Sequence, residues 1–148
     1  MEGIDGVRIV RLKKIVNHRG HLQEVQREDD EHFTRFGQAY VTCTLPGVIK
    51  AWYRHHKQID QIALVHGTAT LVLFDDRPRS PSLGRTVECV LTDDAPALVQ
   101  IPPGVWHGFR AGGAPVYLLH LNSIAQNVGE PDEDRLPPDS AEIPYVWR

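Results

Sequence analysis

Gly47-Val-Ile-Lys50-Ala-Trp-Tyr53-Arg-His55-His56-Lys-Gln-Ile-Asp60-Gln-Ile-Ala-Leu-Val-His66-Gly67 is the stretch on which the reading of this chain turns. Its two halves are rich in Val, Ile, Leu and aromatic residues, which suits two β-strands with a polar corner between them. Residues two apart on a strand face the same way, so Tyr53 and His55 share one face and His56 takes the other. Asp60 begins the next strand. A second segment, Pro102-Pro103-Gly104-Val105-Trp106-His107, supplies another histidine just after a proline–glycine corner. Gly67 and Gly104 permit the tight turns that bring these strands around. The pattern predicts that Tyr53, His55, Asp60 and His107 converge at the mouth of a barrel.

Outward from this stretch, candidate strands cover Val7–Leu12, His21–Val25, Gln38–Thr44, Val48–Arg54, Gln61–His66, Ala69–Phe74, Thr86–Leu91, Ala97–Ile101, His107–Arg110 and Val116–Asn122. Gly, Pro, Asp and Ser punctuate them. Many short strands without an amphipathic helix read as an all-β sandwich or barrel. Asp30–Phe36 is expected to form one helical turn, and the acidic, proline-containing Glu130–Pro138 an irregular surface segment. The apolar ending Ile143–Trp147 is expected to dock back onto the barrel. At 148 residues the chain suits a single domain spanning 1–148. A net charge of -3 argues against a nucleic-acid polymer or a polybasic membrane attachment as partner. No apolar run is long enough to span a bilayer, and Met1–Gly6 lacks the pattern of a secretory signal. Cys43 and Cys89 have no metal-binding spacing and read as reduced, buried thiols. Together these features predict a cytoplasmic protein.

The Gly47–Gly67 stretch resembles the first cupin motif, G-x5-H-x-H-x4-E-x6-G, with Tyr53 in the place of the first His and Asp60 in that of the Glu. Pro102–His107 resembles the core of the second motif, P-x-G-x-x-H. The resemblance implies a cupin, or jelly-roll, β-barrel (a double-stranded β-helix). Imidazole and carboxylate suit a divalent transition metal, so His55, Asp60 and His107 are candidate ligands. Equally, the two histidines can be hydrogen-bonded residues of the barrel mouth with no cofactor at all. His56 reads as solvated, and His66 and His120 as hydrogen-bonded or edge histidines.

Further stretches are similar to the dTDP-4-dehydrorhamnose 3,5-epimerase family. Asn17-His18-Arg19-Gly20-His21-Leu22-Gln23-Glu24 resembles its D-x-R-G-x-(F/L)-x-E element, and Asp75–Gly84 its D-x-R-x-x-S-P-x-(F/Y)-G segment. Ile101–Phe109 is similar to its I-P-x-G-x-x-H-G-F, and the tail from Pro138 to Trp147 to its ending. The resemblance covers roughly residues 15 to 147. It implies binding of a dTDP-linked 4-keto-6-deoxyhexose, proton removal and return beside the ketone, and a homodimer that exchanges N-terminal strands. Position by position it assigns substrate contacts to Arg19, Glu24, Gln38 and Lys50. Lys50 replaces an arginine, so a point charge stands where a bidentate fork would. Tyr40 stands where the family has an asparagine.

The catalytic positions depart from the family. Tyr53 occupies the place of the base histidine, Asp60 that of a helper lysine, and Leu119 that of the acid tyrosine. Tyr117, two residues earlier, is the substitute on the same strand face, and Asp139 matches the activating aspartate. A tyrosine at its reference pKa of about 10 is roughly 0.1 % ionised at neutral pH, so it is a poor base. Proton transfer would then fall to Tyr53 with His55 or His107. Three functions are compatible with these residues: a divergent epimerase or isomerase for nucleotide-linked deoxysugars, a metal-dependent cupin enzyme, and a nucleotide-sugar-binding cupin without catalysis.

Overall fold

The computed structural model describes residues 3–148. The order of elements is β1 (Arg8–Arg11), β2 (Lys14–Asn17), β3 (Gly20–Gln23), β4 (Gln38–Thr44), β5 (Ile49–His55), β6 (Asp60–His66), β7 (Thr68–Asp75), β8 (Thr86–Thr92), β9 (Ala97–Ile101), β10 (Val105–Ala111), β11 (Val116–Asn122) and β12 (Glu133–Arg135). One antiparallel sheet runs β1-β9-β6-β11-β4, the facing one β12-β5-β10-β7-β8, and β2 and β3 form a separate hairpin. The two sheets close over a common core in the jelly-roll arrangement of the cupins. Among the described residues no helix is long and apolar enough to cross a membrane.

Alternation along each strand decides what faces the interior. On β11 the buried positions Val116, Leu118, His120 and Asn122 alternate with the more exposed Tyr117, Leu119 and Leu121. Leu64, Leu71, Leu73, Val99, Val105 and Leu118 fill the barrel. Towards one end the inward positions turn polar, with Asp60, His107, His120 and Asn122 each buried. That gradient along the barrel axis makes one end a packed plug and the other a polar mouth.

Both sheets also bury part of their outer faces. Segment 24–37 lies over β6 and β9, tied down by amides: Gln26 Nε2 donates to Gln61 Oε1 and Gln100 Nε2 to His32 O. Behind the second sheet, Trp52, Val72, Phe74 and Trp106 form a second apolar cluster with Ile143, covered by Leu136, Tyr145 and Trp147 of the tail. Trp52 is wholly buried there, and its Nε1 donates to Pro138 O at 3.2 Å.

Several expectations need correction. Asp30–Phe36 is no helical turn; Asp30 Oδ2 and the Asp30 carbonyl take the Arg27 and Phe33 amides, which folds the segment into turns. Residues 133–135, read as irregular, form β12 on the edge of β5. β2 was not anticipated. Cys43 and Cys89 are free, but Cys43 is exposed because odd-numbered positions of β4 face outward.

Candidate active site

The polar mouth contains a cavity of about 260 Å³. The first sheet contributes Tyr40 and Thr42 from β4, Asp60 and Ile62 from β6 and His120 from β11; the second contributes Lys50, Tyr53 and His55 from β5 and His107 and Phe109 from β10. Glu133 and Arg135 of β12 edge it. An adjoining hollow of about 170 Å³ continues past Tyr40, Gln126 and Glu133 towards Asn122 and Asp132. The two together fall in the range of ordinary small-molecule sites, about 300–1,000 Å³.

Strict alternation would send Lys50 and Tyr53 to opposite faces. A β-bulge prevents that: His107 pairs with Tyr53 and Phe109 with Lys50, so β5 carries one extra residue. Gly108 sits opposite the bulge. A Cβ there would lie 2.4 Å from Ala51 Cβ, which only glycine avoids. The corner before β10 is set by Gly104 (φ +89°), whose N–H donates to His55 O at 2.8 Å and so ties the two histidine strands together.

His55, Asp60 and His107 form the chemical centre. Both Nδ1 atoms meet backbone carbonyls, which only accept: His107 Nδ1 donates to Val105 O at 3.1 Å and His55 Nδ1 to Asp132 O at 2.8 Å. Both Nε2 atoms therefore turn towards one carboxylate oxygen, Asp60 Oδ2, at 2.8 Å from His107 and 3.5 Å from His55. A bare Nε2 against a bare carboxylate oxygen would place two lone pairs 2.8 Å apart, so a proton lies between them. The cluster thus carries one proton more than two neutral imidazoles and a carboxylate account for. Burial alone would raise the Asp60 pKa, but the hydrogen bonds and charge of His107 and His55 outweigh it and hold the group below the carboxylate range. Burial alone would likewise lower His55, but the hydrogen bond and charge of Asp60 win and its pKa is raised. The proton rests on the imidazole side, in a site mostly closed to water.

The surroundings hold this centre in place. Asp132 accepts the backbone N–H groups of His56, Lys57 and Gln58, fixing the corner after β5 while its carbonyl orients His55. Burial opposes ionisation of Asp132, but these three donors prevail and its pKa is lowered. On the first sheet, His120 Nε2 lies 2.9 Å from Thr42 Oγ1, and its ring stacks on Tyr40 with centroids 4.5 Å apart. Burial, the largest influence on His120, pushes its imidazole below the ordinary value. Arg135 pairs with Glu133 and holds its guanidinium carbon 5.6 Å from the Tyr53 ring centroid.

Of the residues singled out from sequence, Tyr53, His55, Asp60, His107 and Lys50 meet in the one cavity. Others lie elsewhere in the single chain. Tyr117 is 40 % exposed on the outer face of β11, because its parity is opposite to that of His120. Asp139 is exposed in the tail, Arg19 in the β2–β3 turn, and Glu24 pairs with Arg27 on the surface. Gln38 acts one step back: its Oε1 accepts the N–H of Gln126, a cavity residue. Sequence reading missed His120, Thr42, Phe109, Glu133 and Arg135 as cavity residues. Strand parity was the available signal for the first three; the short edge strand β12 offered none.

The same three side chains are the candidate metal ligands. The ligating atoms of His55, Asp60 and His107 lie within 4.8 Å of one another. However, two ligands at about 2.0–2.1 Å on a tetrahedral ion sit roughly 3.3 Å apart, and the 2.8 Å Nε2–Oδ2 separation is a hydrogen-bond distance. The donor types suit a divalent transition metal, and in this structure two of the three donors are spaced as a hydrogen-bonded pair.

Fold and cavity together define a cupin whose mouth carries titratable side chains on both sheets and the Lys50 side chain beside them. The sequence profile of the dTDP-4-dehydrorhamnose 3,5-epimerase family matches residues 2–135. The spore coat polysaccharide biosynthesis protein SpsL of Bacillus subtilis is 38% identical over 145 residues, covering 97% of this chain and 96% of that protein. The probable low-salt glycan biosynthesis epimerase Agl13 of Haloferax volcanii is 37% identical over 150 residues, covering 99% and 96%. The crystal structure of a dTDP sugar isomerase from Desulfovibrio desulfuricans G20 superposes with a TM-score of 0.92 at 33% identity, covering 97% of this chain and 92% of that one. The chain belongs to the dTDP-4-dehydrorhamnose 3,5-epimerase family.

Proposed function

We propose that this chain is a divergent cytoplasmic epimerase or isomerase of a dTDP-linked 4-keto-6-deoxyhexose, acting in deoxysugar or glycan assembly without a cofactor. The observation that carries the reading is the close cluster of His107, His55 and Asp60, whose spacing calls for one shared proton, at the wall of a cavity that also presents Lys50. Removing a proton beside a ketone builds negative charge on the carbonyl oxygen. A preorganised imidazolium stabilises that charge most strongly where water is excluded. Lys50 and Arg135 suit the diphosphate as cations near the mouth. Tyr53, in the family's base position, lies with its ring 6.4 Å from that of His107 and borders the sugar position as a hydrogen-bonding phenol.

The test is deuterium incorporation at the carbon beside the ketone when the dTDP-4-keto sugar is incubated with the protein in D2O. Incorporation well above the buffer rate is expected. A rise in Tm with dTDP but no incorporation would sink the enzymatic reading in favour of a nucleotide-sugar-binding protein.

We further propose a homodimer in which Arg19 and Glu24 of one protomer approach the other's mouth. In support, the hairpin leaves Ile15, Val16 and Leu22 exposed, and the outer face of β4 and β11 leaves Val41 and Tyr117 exposed. Sedimentation should give twice the 16.7 kDa of one chain. A monomer at micromolar concentration would overturn this arrangement.

A further inference from the structure

Inverting a carbon centre requires a proton to leave one face of the sugar and another to arrive on the opposite face. The His55–Asp60–His107 cluster serves one face only, and the family's base position holds Tyr53. We propose that His120 is the second proton-transfer residue, working from the first sheet against the cluster's histidines on the second. This rests on the epimerase reading and assigns it a residue.

Four observations carry the inference. His120 is 7 % exposed and points into the cavity between Leu118 and Asn122, whereas Leu119 and Tyr117 point away. Its ring is fixed from two sides, by the Thr42 hydroxyl at Nε2 and by the parallel Tyr40 ring, so one orientation is held without substrate. It stands on β11, facing β5 and β10, which carry His55 and His107. The charged groups that bear on it are Asp60 of β6, His107 of β10 and Lys50 of β5; the two cations and its burial favour the neutral ring, and Asp60 alone opposes them. A neutral imidazole on one wall and a proton-bearing cluster on the other is the division of labour that an acid–base pair requires.

The step balances as follows. With Nε2–H donating to Thr42 Oγ1, Nδ1 of His120 takes the proton from the carbon beside the ketone. The C–H pair becomes the C=C bond and the carbonyl pair moves onto oxygen, forming the enolate. The cluster gives its proton to the opposite face of the same carbon, and the carbonyl re-forms. His120 ends protonated and the cluster one proton short; exchange with solvent through the mouth resets both.

In D2O, wild-type protein should yield inverted product carrying solvent deuterium while the unreacted substrate stays protiated early in the reaction. His120→Ala should lower exchange by about a hundredfold or more, with the dTDP-induced rise in Tm unchanged. Imidazole added to that variant should restore exchange, which a purely structural role would not allow. His120→Gln, which can keep the bond to Thr42, should lose exchange equally and serves if the alanine variant folds poorly. Exchange within about threefold of wild type in both variants, or loss in His120→Ala without imidazole rescue, overturns the inference and leaves the epimerase reading intact. No exchange by the wild-type protein removes both.

Discussion

Asp60→Asn is expected to fold normally and to lose about 10²- to 10⁴-fold in turnover. The hydrogen-bond directions account for the split between fold and rate. His107 Nδ1 is committed as a donor to Val105 O, so the neutral ring presents a bare Nε2 towards position 60. An asparagine amide can donate to that nitrogen, satisfying the pair with no extra proton in the cluster. Geometry survives and the acid disappears. Asp60→Ala is different, because it leaves the buried His107 and the partly buried His55 without their shared carboxylate, and a loss of about 3–5 kcal/mol is expected. Urea unfolding separates the two variants, and kcat measures the proton. The pH dependence follows from the directions of the shifts. His55 is raised, so its contribution to stability is complete below its unfolded value of about 6.5 and is lost as pH rises through the higher folded value. Asp60 is lowered, so its contribution is present above about 3.9 and is lost as pH falls through the folded value. Asp60→Asn should flatten both limbs. Wild-type turnover in Asp60→Asn would mean that the shared proton has no part in the reaction.

Asp75→Ala is expected to cost about 3–5 kcal/mol and to lower Tm by roughly 10 °C, although the residue lies outside the cavity. Asp75 ends β7 and is wholly buried. Its Oδ1 accepts from Arg77 N at 3.0 Å and Nε at 2.8 Å; its Oδ2 accepts from Arg77 Nη2 at 3.0 Å and from the hydroxyls of Ser82 and Ser80. Removing it leaves a guanidinium and two hydroxyls without their acceptor. The damage reaches the site through Arg77, whose stem packs under Gly104 at the corner leading into β10 and His107. Burial alone would raise the Asp75 pKa, but the bonds from Arg77, Ser80 and Ser82 outweigh it and hold the group well below the carboxylate range. The difference in stability between wild type and variant should therefore be constant from about pH 5 to 8 and shrink as pH falls below about 4. A difference of under about 1 kcal/mol at pH 7 would show that the network is replaceable.

The extent to which this molecule could be read from its sequence follows strand parity. Gln38–Thr44, Ala97–Ile101 and Val116–Asn122 have the ends expected of them, and a glycine or proline lies within two residues of every one of these ends but Asn122. The meeting of Tyr53, His55, Asp60 and His107 was legible through the resemblance to the two cupin motifs, with two-residue spacing and glycine corners consistent with it. Lys50 shares their cavity through a bulge that no local pattern announces. His120 was missed because matching the acid position to Leu119 counts residues along the chain, whereas the cavity selects faces. Glu133 and Arg135 reach the mouth on a three-residue strand whose pairing with β5 spans some eighty positions, beyond what local composition can signal. Arg19 and Glu24 stand in or beside the β2–β3 hairpin, exposed in the single chain and away from its cavity.

β5 also separates what holds the barrel's shape from what lines its cavity. Tyr53 and His55 face the cavity, while Trp52 and Arg54, alternating with them, face the opposite way, with Trp52 under the tail and Arg54 stacked 4.4 Å over Trp106. A slip of one residue would drive an indole and a guanidinium into the cavity and turn a phenol and an imidazole into the aromatic cluster behind. Insertions and deletions across 52–55 are thereby forbidden from two sides, but exchange of the side chain at position 53 is not. The strand is gripped from behind, so the residue presented in front is free to be replaced.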